Sequence, residues 1–283
     1  YAEADKRIAM GQEFWGLLHE CCEGLLGKRL EDGALNLRRT EFEIDISNPE
    51  AVVIQPLNRN SPANRIIEEL AVLVNRETAR FFQERKVPGI FRTQAPYEVV
   101  GEVKEGEELA LEHLSLEAAR LTTIPGLHAG LACEPYMQAT SPIRRFPDLV
   151  AQHQLRALFR ENDFPFSTED LMRWAELSEV RQKGYARAER KVIRCWKTRY
   201  LSQLLGGVFK AKIRRQLPNQ VTEFELEAIG YVFQTSGFAM WEKGERVLLR
   251  INAVSVEPIR VEVSVCEPSP DLEIHQLEVE TPP

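Results

Sequence analysis

Apolar residues at helical spacing open the chain. Phe14, Trp15, Leu17, Leu18, Leu25 and Leu26 predict a helix over about 1–30 and are its candidates for burial. A stronger stripe runs over 64–86, where Ile66, Ile67, Leu70, Leu73, Val74, Phe81 and Phe82 keep a 3.6-residue period. Between the two helices, 41–46 and 52–54 alternate as strands around the Asn48-Pro49-Glu50 turn. Pro88-Gly89 ends the second helix, and a strand continues through Arg92. The stretch 98–117 carries seven Glu against one Lys and reads as a helical excursion on the outside. Helices follow over 149–161 and about 168–205, the second capped by Thr168-Glu169-Asp170, with a bend possible near Gly184. Five short alternating runs then occupy 208–213, 223–228, 231–233, 246–251 and 261–265. Their lengths, with corners at Gly237 and Glu242-Lys243-Gly244-Glu245, predict a small Greek-key barrel. Of its aromatic residues Phe209, Phe224, Phe233 and Phe238, at least half are expected in the barrel core. From 268 on the chain is rich in Pro and Glu and is expected to be disordered.

Composition narrows this picture. The 283 residues suit about two domains. Apolar residues make up 43%, enough for a sizeable core, but no run reaches the ~18 apolar residues of a membrane span, so no membrane partner is expected. The acidic opening Tyr1-Ala2-Glu3-Ala4-Asp5 does not read as a signal peptide. Five cysteines show neither metal spacing nor a disulfide framework, which suggests a reducing cytoplasm. His128 has no second His, Cys or Asp at ligand spacing. The net charge of −7 argues against unspecific adherence to nucleic acid, but the charge is uneven. From Arg181 to Arg215 there are twelve Lys or Arg and one acid, Glu189. Such a stripe suits a phosphate backbone; the competing reading is a solvated helix face.

The densest chemistry lies in Ala139-Thr140-Ser141-Pro142-Ile143-Arg144-Arg145-Phe146-Pro147-Asp148-Leu149. Ser141 reads as an N-cap, Pro142 as the first helical residue, and Pro147 as the point where the helix restarts. Arg144 and Arg145 then present two guanidinium forks at a helix start, a geometry suited to phosphate. By spacing alone, a helix start with two surface arginines fits as well.

This stretch resembles the T-S-P-I-R-R-Y-x-D-L signature of the ribonuclease II family, whose catalytic part is the RNB domain, with Phe146 in place of Tyr. The segment from Ile67 to Asn75 resembles the family's I-E-E-x-M-x-x-A-N helix, with Ala71 where the family has Met. Residues 87–92 resemble I-P-x-I-Y-R, and Arg187-Ala188-Glu189-Arg190 resembles R-A-E-R. The closing barrel resembles the S-one type of RNA-binding OB fold, which makes Phe209, Phe224, Phe233 and Phe238 candidate stacking faces for single-stranded bases. Gln152-His153 departs from the family's H-R.

The resemblance implies an α+β chain: the C-terminal part of an RNB catalytic domain over 1–205, an OB-fold RNA-binding barrel over 206–267 and a disordered tail over 268–283. It implies a 3′-to-5′ exoribonuclease that hydrolyses single-stranded RNA to nucleoside 5′-monophosphates. Arg144 and Glu189 would be catalytic. Glu189 and Glu68 or Glu69 would position the last nucleotides, and Arg187, Arg190, Lys191 and Arg194 would track phosphates; Asn75 and Arg145 are further RNA-binding candidates, Arg145 with support of the helix as its alternative role. A carboxylate accepting from a 2′-hydroxyl is a physical way to prefer RNA. Family chemistry uses Mg²⁺ held by an aspartate cluster. Nothing here matches that cluster, and Asp5, Asp32 and Asp45 stand apart. The resemblance begins in mid-domain, so the N-terminal part of the same enzyme is an expected partner alongside RNA. Two other readings are a non-catalytic RNA-binding module and a structural subunit completed by another polypeptide.

Overall fold

The computed structural model describes residues 1–36, 41–57, 61–100, 114–237, 241–269 and 272–277. The chain is α+β and divides into two compact units, Tyr1–Arg39 with Arg59–Tyr185, and Thr40–Asn58 with Ala186–Pro283.

In the first unit, the expected opening helix is two helices, α1 (Ala2–Ala9) and α2 (Glu13–Glu31). Gly11, at a φ of +67°, turns the chain between them, a conformation glycine adopts without Cβ strain. Cys22 and Leu26 are buried, but Phe14 and Leu17 are 68% and 60% exposed, contrary to their expected burial. Helix α3 (Pro62–Glu84) is capped by Ser61, whose hydroxyl accepts from the Asn64 N–H. Its buried face is not centred on the expected stripe. Ala63, Ile66, Glu69, Val72, Asn75, Ala79 and Phe82 point inward, while Ile67 and Val74 are exposed. Two core-facing positions are polar, and each finds a buried partner, which is why the hydrophobic pattern misplaced the face.

Short ladders complete this unit. β3 (Phe91–Thr93) pairs antiparallel with β6 (Arg120–Thr122), and β4 (Glu98–Val99) with β5 (Leu114–Ser115). The ends of the acidic excursion are therefore strands rather than helix; its middle, 101–113 with His113, lies outside the described residues. Helix α4 (Phe146–Phe159) and the 35-residue α5 (Thr168–Ser202) follow. Ser167 rather than Thr168 caps α5: its Oγ accepts from the Asp170 N–H and donates to Asp170 Oδ2. Gly184 does not interrupt α5.

The second unit is built on β7 (Val208–Leu217), β8 (Val221–Leu226), β9 (Tyr231–Ser236), β10 (Arg246–Val256) and β11 (Ile259–Cys266). They form one antiparallel sheet in the order β11-β10-β7-β8-β9, and β11 approaches β9 to nearly close an OB-fold barrel. The alternation in β7 sends Phe209, Ala211 and Ile213 inward and Lys210 outward. Phe209, Phe224 and Phe233 are buried core residues, so they are not open stacking platforms; Phe238 lies outside the described residues.

Two additions extend this core beyond the expected 206–267. The hairpin β1 (Glu41–Asp45) and β2 (Val53–Leu57) contributes Ile54, with Phe42 and Ile44 packed alongside, and the end of α5 contributes Tyr200 and Leu201. Burial of these side chains draws 40–58 and the last turns of α5 into the barrel unit. Part of the expected disordered tail is also engaged: the His275 N–H donates to Val208 O, and its Nε2 lies 2.9 Å from Tyr200 Oη.

Gly230 sits at a φ of +55°, and a Cβ there would lie 2.8 Å from Phe42 Cε2. Gly230→Ala should therefore lower stability by about 1–3 kcal/mol, measured by urea unfolding of the chain.

Candidate nucleic-acid interface

The signature stretch forms a turn rather than a helix start. The N–H groups of Arg144 and Arg145 both donate to Ser141 O, and α4 begins only at Phe146, with Arg145 as its N-cap residue and Pro147 in its first turn. The expected capping role of Ser141 is replaced by a longer-range bond. The Ser141 N–H donates to Asp148 Oδ1 at 2.8 Å, and Arg145 Nη2 donates to the same oxygen at 2.7 Å. Asp148 is fully buried, so one carboxylate fixes both ends of the turn.

Three more polar side chains hold the approach to this turn. Asn75 donates from Nδ2 to Tyr136 Oη at 3.0 Å and accepts the Ala139 N–H at 2.8 Å. Gln152 Nε2 donates to Ala139 O at 2.8 Å. Gln154 Nε2 ties α4 to the carbonyls of Pro88 and Phe166. Gln152, at the departure from the family's H-R, thus holds the Ala139 carbonyl, and Asn75 acts from inside the fold.

The turn opens on a cleft of about 580 Å³ within the first unit. Arg92, Arg144, Arg145 and Arg181 line it, and none of its lining residues is acidic. Phe146, Trp174 and Tyr185 give it an aromatic wall. Arg144 is exposed and, among the described residues, its guanidinium has no hydrogen bond or ion pair. Burial pushes Arg92 below the usual arginine range, and Arg145 acts in the same direction, while Tyr136 and Glu179 oppose it. An arginine stays protonated under such stress, so this charge is under-compensated and an anion would relieve it.

The two carboxylates considered for ribose recognition part company. Glu69 is buried and receives Arg29 bidentately, Nε to Oε2 at 3.0 Å and Nη2 to Oε1 at 2.5 Å. Its oxygens serve to clamp α2 to α3. Glu68 is exposed, with Arg65 at 3.1 Å.

In the second unit, Arg187, Arg190, Lys191 and Arg194 recur at spacings of three and four along α5 and line one groove of about 520 Å³. Strand β9 supplies the other wall through Val232, Phe233 and Gln234. Lys197 closes the groove's end: its ammonium donates to Ile229 O at 2.6 Å and Gly230 O at 3.2 Å and lies 4.7 Å from the Phe42 ring centroid. Burial pushes its pKa down. Glu189 is exposed on the same helix and has no hydrogen-bond or ion-pair partner among the described residues.

Arg144, and Arg181 at the head of the basic stripe, stand out in the sequence, whereas Trp174 and Tyr185 are not among its candidate site residues. Their signal was available as a stripe along α5, Trp174-Ser178-Arg181-Tyr185, at spacings of four, three and four.

The family model of the RNB domain matches residues 4–114 and 98–161. The chain belongs to the RNB domain family. An uncharacterised ribonuclease of Synechocystis sp. is 26% identical over 227 residues, covering 77% of this chain and 34% of that protein. Among solved structures, an active-site mutant of the Dss1 exoribonuclease from Candida glabrata matches with a TM-score of 0.78 at 18% identity, over 89% of this chain and 36% of that one. Mycoplasma genitalium RNase R in complex with ribose-methylated single-stranded RNA matches at 0.73 and 15%, over 88% of this chain and 49% of that one. At these identities the structures establish the fold. This RNB chain spans about a third of the length of the Synechocystis relative.

Two predictions follow from the support behind the cleft. Asp148→Ala strands the Ser141 N–H and the Arg145 guanidinium and should cost about 2–3 kcal/mol, read from the denaturant midpoint. His128 is buried edge-on against Tyr136, and burial, reinforced by Arg92, pushes its pKa down to about 4. Its unfolded form binds a proton at a higher pH than its folded form, so stability falls as pH drops from about 6.5 toward 4. The expected loss is about 3 kcal/mol by pH 4, and His128→Gln should flatten that part of the stability profile.

Proposed function

We propose that this chain is the C-terminal part of a 3′-to-5′ exoribonuclease that hydrolyses single-stranded RNA and releases nucleoside 5′-monophosphates. The observation that carries the reading is Arg144. It stands unpaired on a turn held by a buried carboxylate, in an acid-free cationic cleft, within the stretch that resembles the ribonuclease II signature. Ribonuclease names among the relatives, and an RNase R of the same fold solved with single-stranded RNA, support it.

Hydrolysis of a phosphodiester gathers negative charge on the non-bridging oxygens as water adds. A preorganised, unpaired guanidinium is suited to stabilise that charge more in the transition state than in the ground state. Arg145 is suited to shaping the turn, because Asp148 already engages it. Glu189, exposed among cations, is suited to orient the terminal nucleotide, and Glu68 is the accessible candidate to accept from a ribose 2′-hydroxyl. Arg187, Arg190, Lys191 and Arg194 are suited to follow the phosphate backbone.

Family chemistry implies Mg²⁺, which offsets phosphate charge and activates water. Among the described residues no group of three or more His, Cys, Asp or Glu is placed to hold a metal ion, so the described residues do not fit that role. Among the described residues, too, no helix is long and apolar enough to cross a membrane. A cytoplasmic setting is part of the proposal.

In the complete protein, Arg144→Ala should lower kcat by about 10²–10³-fold while KM for a single-stranded oligoribonucleotide changes little. Steady-state kinetics separate the two constants, and a comparable loss in both would remove Arg144 from the transition state.

A further inference from the structure

Two properties of the first unit's cleft remain unassigned once Arg144 has its role. One is its aromatic wall and the other is its second pair of arginines. Trp174 is half-buried and held perpendicular to two rings, Phe166 at 4.8 Å and Phe146 at 5.4 Å between centroids. These contacts fix its plane. Tyr185 is 72% exposed, and its hydroxyl has no partner among the described residues. Trp174 and Tyr185 share the cleft-lining stripe of α5, about 16 Å apart along the axis, with Arg181 between them. Arg181 has no ion-pair partner among the described residues, and Arg92 is desolvated beside Arg145. An apolar docking face would not gather four arginines, and a simple phosphate site would not need a held Trp174 ring beside its cations. Alternating ring and guanidinium is the chemistry of a single-stranded nucleic acid, whose bases stack and whose phosphates pair.

We infer that this wall is a nucleotide subsite: Trp174 stacks a nucleobase, Tyr185 a second one further along the strand, and Arg181 with Arg92 holds the intervening phosphates. This deepens the proposed RNA reading of the cleft and rests on it. It assigns the subsite to α5 residues that lie outside the signature stretch. Stacking tolerates any base, so the subsite contributes affinity and register without selecting sequence.

The test compares two probes on the 283-residue chain: hexaadenylate, and the same strand with abasic sugars throughout. Binding is read by fluorescence anisotropy, with a salt titration for each variant. Wild type should bind the abasic strand at least ~10-fold more weakly, since base–aromatic stacking contributes about that much per base. Trp174→Leu should weaken hexaadenylate ~10-fold and leave the abasic strand unchanged, and Trp174→Phe should restore most of the loss. Arg181→Gln should weaken both strands and flatten the salt dependence by about one phosphate contact. Unaltered melting of each variant keeps folding out of the comparison.

Equal weakening of both strands by Trp174→Leu, or of neither, overturns the subsite. If wild type binds the two strands equally but Arg181→Gln still weakens both, the stacking wall fails while the cleft's RNA reading stands. If wild type binds neither strand, both fail together.

Discussion

The buried carboxylate of Asp148 is the constraint on which the cationic cleft depends. Four guanidinium groups line one cleft, and like charge acts among them: Arg145 helps to push the Arg92 pKa down. Asp148 offsets part of that repulsion through Arg145 and uses the same oxygen to hold the Ser141 N–H. The turn is thereby locked by a charge that does not itself face the cleft. Arg144, next in the chain to the clamped residue, gains a fixed backbone with an unengaged side chain. On the proposed reading that combination suits a phosphodiester, because an arginine already paired would have to exchange partners to meet it.

The second unit reaches a comparable result with a different anchor. Lys197 is buried against the carbonyls of Ile229 and Gly230 and over the ring of Phe42, so its charge is met by dipoles and a π face instead of a carboxylate. That anchor holds the end of α5 against the β8–β9 corner. The cations one to three turns earlier are then displayed along a groove whose other wall is β9. Both strands of the expected ligand-binding face of an OB fold border this region, since Glu223 of β8 also lines the groove.

What could be read from the sequence depended on how local its cause was. The barrel strands were legible because alternation is a direct imprint of a sheet with one buried face, as in Phe209, Ala211 and Ile213 against Lys210. The basic stripe was legible because helical spacing alone brings Arg187, Arg190, Lys191 and Arg194 to one side. The inward face of α3 was not, because Glu69 and Asn75 are core residues only by virtue of Arg29 and Tyr136, 40 and 61 residues away. The signature turn was misread as a helix start for a related reason: the acceptor for the Ser141 N–H is a side chain seven residues on, and no capping rule looks that far. The cleft's aromatic wall escaped notice because Phe146 and Trp174 belong to different helices and meet only in the fold.

The division among cations carries the functional argument further than their number does. Arg29, Arg145 and Lys197 are buried or half-buried, and each is matched to a carboxylate or to carbonyls; truncating any of them would leave a partner stranded, and their cost would be structural. Arg144 and Arg181 are exposed toward a cleft and matched to nothing among the described residues. An unpaired surface arginine by itself is ordinary. Two of them beside a desolvated third, one on a turn immobilised by a buried acid and both lining a cleft with the held ring of Trp174, is an arrangement that folding alone does not require. An anion with a flat, stackable partner would both offset the charge repulsion and meet the aromatic wall. A single-stranded polynucleotide supplies both groups on one chain.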